Sequence, residues 1–355
     1  MPFLRGDFMI KIFKYSHLSS KIRAMKGKML SEDDYKNMMV KGSVSEVASY
    51  LKSNTYYGES LKDLNEKNIH RGNLEMLLYR AEISDSLKIA RYLKGNDKLI
   101  YRYVYRKQEI EDLKKMLRTL QMGKQLEEID KLTLFISKYS KINFNETLKA
   151  KTVGELVQSV KGTNFYDILK PLLLDETHID LFSAEMALDM YYYNKLKSQL
   201  SKEVKGKDRE IVGSIIGAEA DLRNILWIYR GKKYYDLNKE ILYRYLIPLS
   251  FKLNKQELIK MVEANNSQEV IEIVQTTYYE NYIGNDPNQW EHEFIKYLLK
   301  VQYKNIQSFP YSLAPIVGYI VIKEMEIDNI IAIIEGVRYQ VSPDEIRKQL
   351  IGHKL

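Results

Sequence analysis

Five histidines, His17, His70, His178, His292 and His353, are the residues of this 355-residue chain best suited to hold a metal ion or shuttle a proton. Each lies more than 50 residues from the next. A zinc-binding helix needs two imidazoles about four residues apart on one face, so no pair here has that spacing. There is no cysteine, which excludes disulfides and thiolate ligands and allows a reducing compartment. No G-x-x-x-x-G-K-[ST] phosphate loop, G-x-S-x-G elbow or G-x-G-x-x-G turn occurs. Gly231-Lys232-Lys233 follows an apolar helical stripe instead of preceding one. It reads as a helix C-terminus, with cations placed favourably on the dipole. No catalytic residue, metal or cofactor is expected.

Carboxylate pairs are the next possibility. Glu219 and Asp221, and Glu324 and Glu326, recur at matching places. Acids three or four apart on a helix could share a proton, whereas acids two apart point in different directions. An active site also has little use for copies. They read as exposed acids on the first half of a helix. Between Arg102 and Lys115, Tyr101, Tyr103 and Tyr105 interleave with Arg102, Arg106, Lys107, Lys114 and Lys115. Rings and cations in alternation can stack on and neutralise nucleic acid, but Glu109, Glu111 and Asp112 intrude.

Six helix-start signals position these groups. They are Ser31-x-x-Asp34 with Ser43-x-x-Glu46, Asn143-x-x-Glu146 with Thr152-x-x-Glu155, and Asn254-x-x-Glu257 with Asn266-x-x-Glu269. Each is a capping box or a variant, in which the first side chain accepts from an orphan N–H and the acid reaches back. Three helical hairpins therefore open three units, with a period of about 110 residues. Leu30 matches Leu253, Val47 matches Val270 and Tyr56 matches Tyr279. The second hairpin fits after a three-residue deletion, with Leu156, Val160 and Phe165 in the apolar places. Such a hairpin cannot bury its apolar face alone.

Closing helices repeat too. Ile211–Ile225 lies over Ile316–Ile330, and the register continues through Gly231 with Gly336 and Tyr234 with Tyr339. The first unit carries a weaker copy, Asp112-Leu113-Lys114-Lys115-Met116-Leu117, followed by Gly123. The glycines suit left-handed C-terminal positions. Ser342-Pro343-Asp344-Glu345 restarts a helix with proline in its first turn. The turns at 121–124, 230–233 and 335–338 each hold a basic residue. Under threefold pseudo-symmetry they share a rim, and Lys124, Arg230, Lys232, Lys233 and Arg338 are the residues by which it would meet acidic or polar loops of a partner. Ordinary C-terminal helix charge is the alternative.

Composition agrees with helices: 17 Gly and only 7 Pro leave few breakers, and 28 Tyr can pack rings at helix seams with their hydroxyls wet. The net charge of +8 permits an acidic partner, anionic lipid or nucleic acid. The opening residues, interrupted by Arg5 and Asp7, are not a signal peptide, and Met9 is an alternative start. The uncharged stretch 305–322 has a transmembrane length of 18 residues. Pro310, Pro315, Asn305 and Gln307 oppose a span, and its second half is the counterpart of Ile211–Gly217, so a buried core helix is expected. A lead-in helix over 14–28 turns Ile22 and Met25 to the bundle. The expected fold class is all-α, divided as a lead-in at 1–28 and repeats at 29–132, 133–247 and 248–355, in a closed trio.

The chain resembles the C subunit of bacterial and archaeal V-type ATPases, the counterpart of the d subunit of the eukaryotic vacuolar enzyme. The likeness covers nearly the whole chain. It rests on Tyr15–Leu30, the hairpin ending Ser-Asn-Thr-Tyr56, Asp221-Leu-Arg-Asn-Ile225-Leu226 through Arg230-Gly231, and Ser312–Gly318 through Gly336-Val-Arg338-Tyr339. The resemblance implies three pseudo-equivalent helical bundles arranged as a funnel with approximate threefold symmetry. It implies a non-catalytic central-rotor component of a V-type rotary ATPase, coupling the central stalk to the membrane proteolipid ring for H⁺ or Na⁺ transport. Its partners would be central-stalk rotor subunits and that ring, with no direct nucleotide, and its place cytoplasmic and peripheral to the membrane. A helical adaptor or nucleic-acid-binding scaffold on the same repeat is the alternative.

Overall fold

The computed structural model describes residues 3–65, 69–93, 95, 98–126 and 140–352. The side chains at 3–8, 10–11 and 98–105 fall outside that description, as do His353 and the repeat boundary expected at 132/133. The protein is all-α. Among the described residues there is no strand, only one bridge between Leu173 and Ile179.

The lead-in helix α1 spans Phe3–Lys26, beginning earlier than expected, and buries Tyr15, Leu18 and Ile22. The first hairpin is α2 (Glu32–Met39) and α3 (Val44–Asn54), followed by a 3-10 turn at Tyr56–Glu59 and then α4 (Arg71–Ala90) and α5 (Lys98–Gln121). The second is α6 (Phe144–Thr147), α7 (Val153–Ser159) and α8 (Asn164–Leu169), followed by α9 (Leu181–Glu203) and α10 (Gly206–Tyr234). A short α11 (Lys239–Arg244) leads to the third, α12 (Lys255–Glu263), α13 (Ser267–Val274) and α14 (Glu280–Ile283). The long α15 (Trp290–Ser308) and α16 (Ala314–Arg338) follow, and α17 (Pro343–Gln349) ends the series.

Five of the six helix-start signals cap. Ser31 with Asp34 and Asn254 with Glu257 form complete capping boxes. At the second helix of each hairpin, Ser43, Thr152 and Asn266 accept from the N–H three residues on. There the acid reaches one residue further back, to the N–H of Gly42, Lys151 and Asn265. Asn143 makes no side-chain cap bond: α6 is a single turn, and the Glu146 N–H that a cap would serve donates to the Asn143 backbone carbonyl at 3.0 Å. Ser342 caps α17, with Pro343 in its first turn.

The helices α5 and α10 each pack against the next hairpin along the chain, and α16 packs against the first. The second half of α16 (Ile327, Ile330, Ile333, Ile334) shares a core with Met38, Leu51, Tyr57, Leu74 and Leu78 of α2, α3, the 3-10 turn and α4. The second half of α10 (Leu222, Ile225, Ile228) shares one with Met261, Val270, Tyr279 and Trp290 of the third. Leu113, Met116 and Leu117 of α5 join the cluster of Phe144, Leu156, Val157 and Leu188. Fully burying one such side chain stabilises by about 1.5–3 kcal/mol, so these shared cores dominate the joints. The first halves of α10 and α16 meet α1 in the largest cluster.

Two glycine expectations are corrected. Gly231 and Gly336 lie inside α10 and α16, not after them. Positive φ falls instead on Asp236 and Gln340, while Gly123 does take φ 70°. The two helical glycines serve close approach: a Cβ on Gly231 would stand 2.7 Å from Leu242 Cδ2, and one on Gly336 would collide with Ile346. No helix among the described residues is long and apolar enough to cross a membrane, and Ala314–Ile320 is wholly buried.

Candidate functional site: carboxylate clamps and basic turns

The recurrent acids are expected on the surface, and half of them are not there. Asp221 is 0% exposed and Glu326 2%. Their partners Glu219 and Glu324 lie at intermediate depth. The signal for burial was present in the sequence. Asp221 precedes Leu222 and Ile225, and Glu326 precedes Ile327 and Ile330, so each acid sits beside an apolar stripe one helical turn deep.

Asp221 Oδ2 accepts the N–H groups of Phe251, Lys252 and Leu253 at 3.0, 2.7 and 3.0 Å and the Tyr279 hydroxyl at 2.7 Å. It thus pins both ends of the third hairpin to α10. Burial raises its pKa, and the four bonds oppose that rise. Its Oδ1 is buried without a hydrogen-bond partner among the described residues. One turn on, Asn224 donates to Ile247 C=O (3.1 Å) and accepts from Ile247 N–H (2.8 Å).

Glu326 does for the first hairpin what Asp221 does for the third. Its Oε2 accepts Leu30 N–H at 2.6 Å, and its Oε1 accepts the hydroxyls of Tyr56 and Tyr57. Asn329 brackets Ile351 through two bonds of 2.9 and 2.8 Å. Here a cation is added. Lys323, 1% exposed, donates to Glu326 Oε1 (3.0 Å) and to the Tyr57 hydroxyl (2.7 Å). Its ammonium lies 4.2 and 4.1 Å from the ring centres of Tyr56 and Tyr57. Burial pushes the Lys323 pKa down to about 8, and Glu326 opposes that fall. Burial and the Glu326 charge together raise Tyr57 well above the usual phenol range. At the first closing helix the matching acid, Asp112, is also buried. There Glu109 accepts the Ser140 hydroxyl, ahead of the second hairpin.

Surface ion pairs repeat the pattern. Arg118 at the end of α5 meets Glu185 of α9, Arg230 of α10 meets Glu291 of α15 (2.6 Å), and Glu335 of α16 meets Arg71 of α4. Among the basic-turn residues, Lys232 donates to Ala264 C=O at 2.6 Å, and Arg338 lies 5.3 Å over the Tyr339 ring. Lys124, Lys233 and Arg338 are exposed.

Where it is described, the tyrosine–arginine cluster is held by contacts within the protein, with Lys115 alone among its described cations exposed. Arg106 donates to Gln199 (3.3 Å), Lys107 pairs with Glu324 (2.6 Å), and Lys114 pairs with Asp189 and Glu111. The side chains of Tyr101, Arg102, Tyr103 and Tyr105 lie outside the described residues. His178 is fixed in a turn by Asp175 and Thr177, and His17 stacks near Tyr92. Among the described residues no three His, Asp or Glu side chains are grouped to hold a metal ion.

Asp221 and Glu326 are thus structural clamps, each binding backbone N–H groups and tyrosine hydroxyls where a long helix meets a hairpin. The chain belongs to the ATP synthase (C/AC39) subunit family, whose pattern matches residues 18–349. It is similar to the C subunit of the A-type ATP synthase of Methanocaldococcus jannaschii, with 26% identity over 97% of this chain and 88% of that one. The corresponding protein of Archaeoglobus fulgidus is 24% identical, over 95% of this chain and 96% of its own. That of Pyrococcus furiosus is 21% identical, over 98% and 92%.

Proposed function

We propose that this chain is the non-catalytic central-rotor component of a rotary ATPase of the V/A type. It receives the foot of the central stalk and rests on the membrane proteolipid ring, so that rotation passes through it to H⁺ or Na⁺ transport. It lies on the cytoplasmic side, peripheral to the membrane. The observation that carries this reading is the joint between α16 and the first hairpin. There Glu326 and Lys323 fasten the last long helix to elements some 270 residues away in sequence (Tyr56 and Tyr57). Torque applied to one repeat thereby spreads through the others. Driving one charge against a membrane potential takes about 2.3 kcal/mol per 100 mV, and a domain holds only about 5–15 kcal/mol of net stability. A coupling element must therefore share load over many packed contacts. The proposed body is a funnel of three pseudo-equivalent bundles from the repeats 29–132, 133–247 and 248–355.

Within this reading, Lys124, Arg230, Lys232, Lys233 and Arg338 form a basic rim for acidic or polar loops of a partner. Charge reversal at Lys124, Lys233 and Arg338, whose exposure spares the core, tests it. Association with the rotor or the ring should weaken while the thermal transition stays in place. Unchanged association would remove the rim. The rotor assignment itself is tested by affinity purification from detergent-extracted membranes, in which rotor and proteolipid subunits are expected to follow the chain.

A further inference from the structure

Contacts between helix ends bring the C-termini of α5, α10 and α16 to one side of the molecule. Arg118, in the last turn of α5, pairs with Glu185 near the start of α9. Phe182, at that same helix start, stands 6.0 Å from Tyr235, just past the end of α10. Arg230, near the end of α10, pairs with Glu291 at the start of α15. The helices α15 and α16 run antiparallel: Gln302 and Ile306 stand against Gly318, and Leu299 clusters with Met325. Helix α16 therefore ends on the side where α15 begins. The turns 121–124, 230–236 and 335–340 share that side.

The same side holds apolar side chains that the core leaves out. Phe13 and Val40 apart, the most exposed large apolar side chains among the described residues are Met122, Leu174, Tyr234, Tyr235 and Tyr339, at 62–72%. Leu174 lies in the turn before α9, which Gln121 holds to the end of α5 by accepting Ile179 N–H at 3.0 Å. The other four lie in the three turns. Met122, Tyr235 and Tyr339 each precede a residue of positive φ: Gly123, Asp236 and Gln340. Such a residue reverses the chain and leaves the side chain before it outside the packed face. The three turns carry five cations, Lys124, Arg230, Lys232, Lys233 and Arg338, against two acids, Asp236 and Glu335. Arg230, Lys232 and Glu335 are engaged within the protein, whereas Lys124, Lys233 and Arg338 are exposed.

We propose that this side docks on an anionic lipid surface. Met122, Leu174, Tyr235 and Tyr339 enter the headgroup region, and Lys124, Lys233 and Arg338 meet the phosphates. Two observations favour a bilayer over a protein. The projecting side chains of the three turns are alike in exposure but not in shape, being one thioether and two phenols. A protein pocket reads shape, whereas a bilayer asks only for an apolar or amphipathic group at the right depth. Each of Met122, Tyr235 and Tyr339 also has an exposed cation within two residues. Aromatic rings beside Lys or Arg are the side chains that anchor at a membrane interface, and anionic headgroups attract the cations. The contact is peripheral, since no helix among the described residues can cross a membrane. The apolar side chains are what this inference adds to the basic rim, and it does not rest on the rotor reading.

The test is co-flotation of the full-length protein with vesicles of phosphatidylcholine, with and without phosphatidylglycerol. Binding is expected on the anionic vesicles, at least about tenfold tighter than on the zwitterionic ones. The combined variant Met122→Ser, Tyr234→Ser, Tyr235→Ser and Tyr339→Ser keeps the net charge of +8 and should bind at least about tenfold more weakly. The chain has no cysteine, so one introduced thiol can carry a polarity-sensitive nitrobenzoxadiazole label. On Met122→Cys the label should brighten and shift to the blue when anionic vesicles are added. On Ser201→Cys, exposed at the far end of α9, it should not respond. If the serine variant does not fold, the two labels decide. No binding to anionic vesicles would overturn the proposal, as would equal response of the two labels. Unchanged binding of the serine variant would reduce the contact to charge alone and overturn it too. Loss of rotor or ring subunits from the serine variant, with no vesicle binding by the unaltered protein, would give these turns to a protein partner. That result would overturn the lipid proposal and leave the rotor reading in place.

Discussion

Burial lowers the Lys323 pKa to about 8, and Glu326, 3.0 Å away, opposes that fall. The pair is worth most through what its loss would leave behind. Glu326→Ala should destabilise the protein by about 3 kcal/mol, because the buried ammonium then keeps only Asp85, 4.0 Å away, and Leu30 N–H loses its acceptor. Replacing both, as Lys323→Met with Glu326→Leu, should cost clearly less than the single change. Denaturant unfolding of the three variants checks that order. A second residue-scale effect is set by pH. Glu82 of α4 faces Glu324 and Asp328 of α16 and Lys107 of α5, and burial, with Glu324 next, pushes its carboxyl up to about 8. A carboxyl raised in the folded state gives stability that is present below its ordinary 4.5 and lost as pH rises through about 8. Glu82→Gln should therefore flatten the decline in stability across that window and raise the melting temperature at its upper end. An unchanged pH profile would show that Glu82 titrates normally.

At the scale of elements, the helical glycines set two rules against each other. Alanine is the better helix former by about 1 kcal/mol, yet a Cβ at 231 or 336 would meet Leu242 or Ile346. Overpacking should win, and Gly336→Ala should lower stability by about 1–3 kcal/mol with helix content unchanged by circular dichroism. The caps give a sharper pair. Asn254→Ala should cost about 1 kcal/mol, whereas Asn143→Ala should be nearly silent, since the Asn143 side chain makes no cap bond at the start of α6. Caps, stripes and the order of helices were legible because they are local: one side chain and the N–H groups of the next turn decide them. Sequence and structure part where a distant segment intervenes. Gly231 resembles a C-cap until Leu242 is seen against it, and the apolar neighbours of Asp221 hint at burial but not at residues 251–253, which supply its partners.

At the scale of the molecule, the arrangement least legible in the sequence is the pairing of each closing helix with a particular hairpin. Repeats in register reveal kinship but not which copy packs on which, since that contact spans some 270–300 residues for α16. The joint is also where the assembly should yield first. In hydrogen exchange, Glu326→Ala should expose amides of the first hairpin, 31–57, while those of the third, held by Asp221, keep their protection. Equal loss in both would mean that the joints are not separate. These joints are what would make a stiff coupler of a chain that belongs to the ATP synthase (C/AC39) subunit family. Its role is most directly tested by tagging the intact chain and purifying it from detergent-extracted membranes. Stoichiometric recovery with central-stalk rotor subunits and the proteolipid ring is expected, lost when the ring is dissociated. Recovery free of every ATPase component would contradict it.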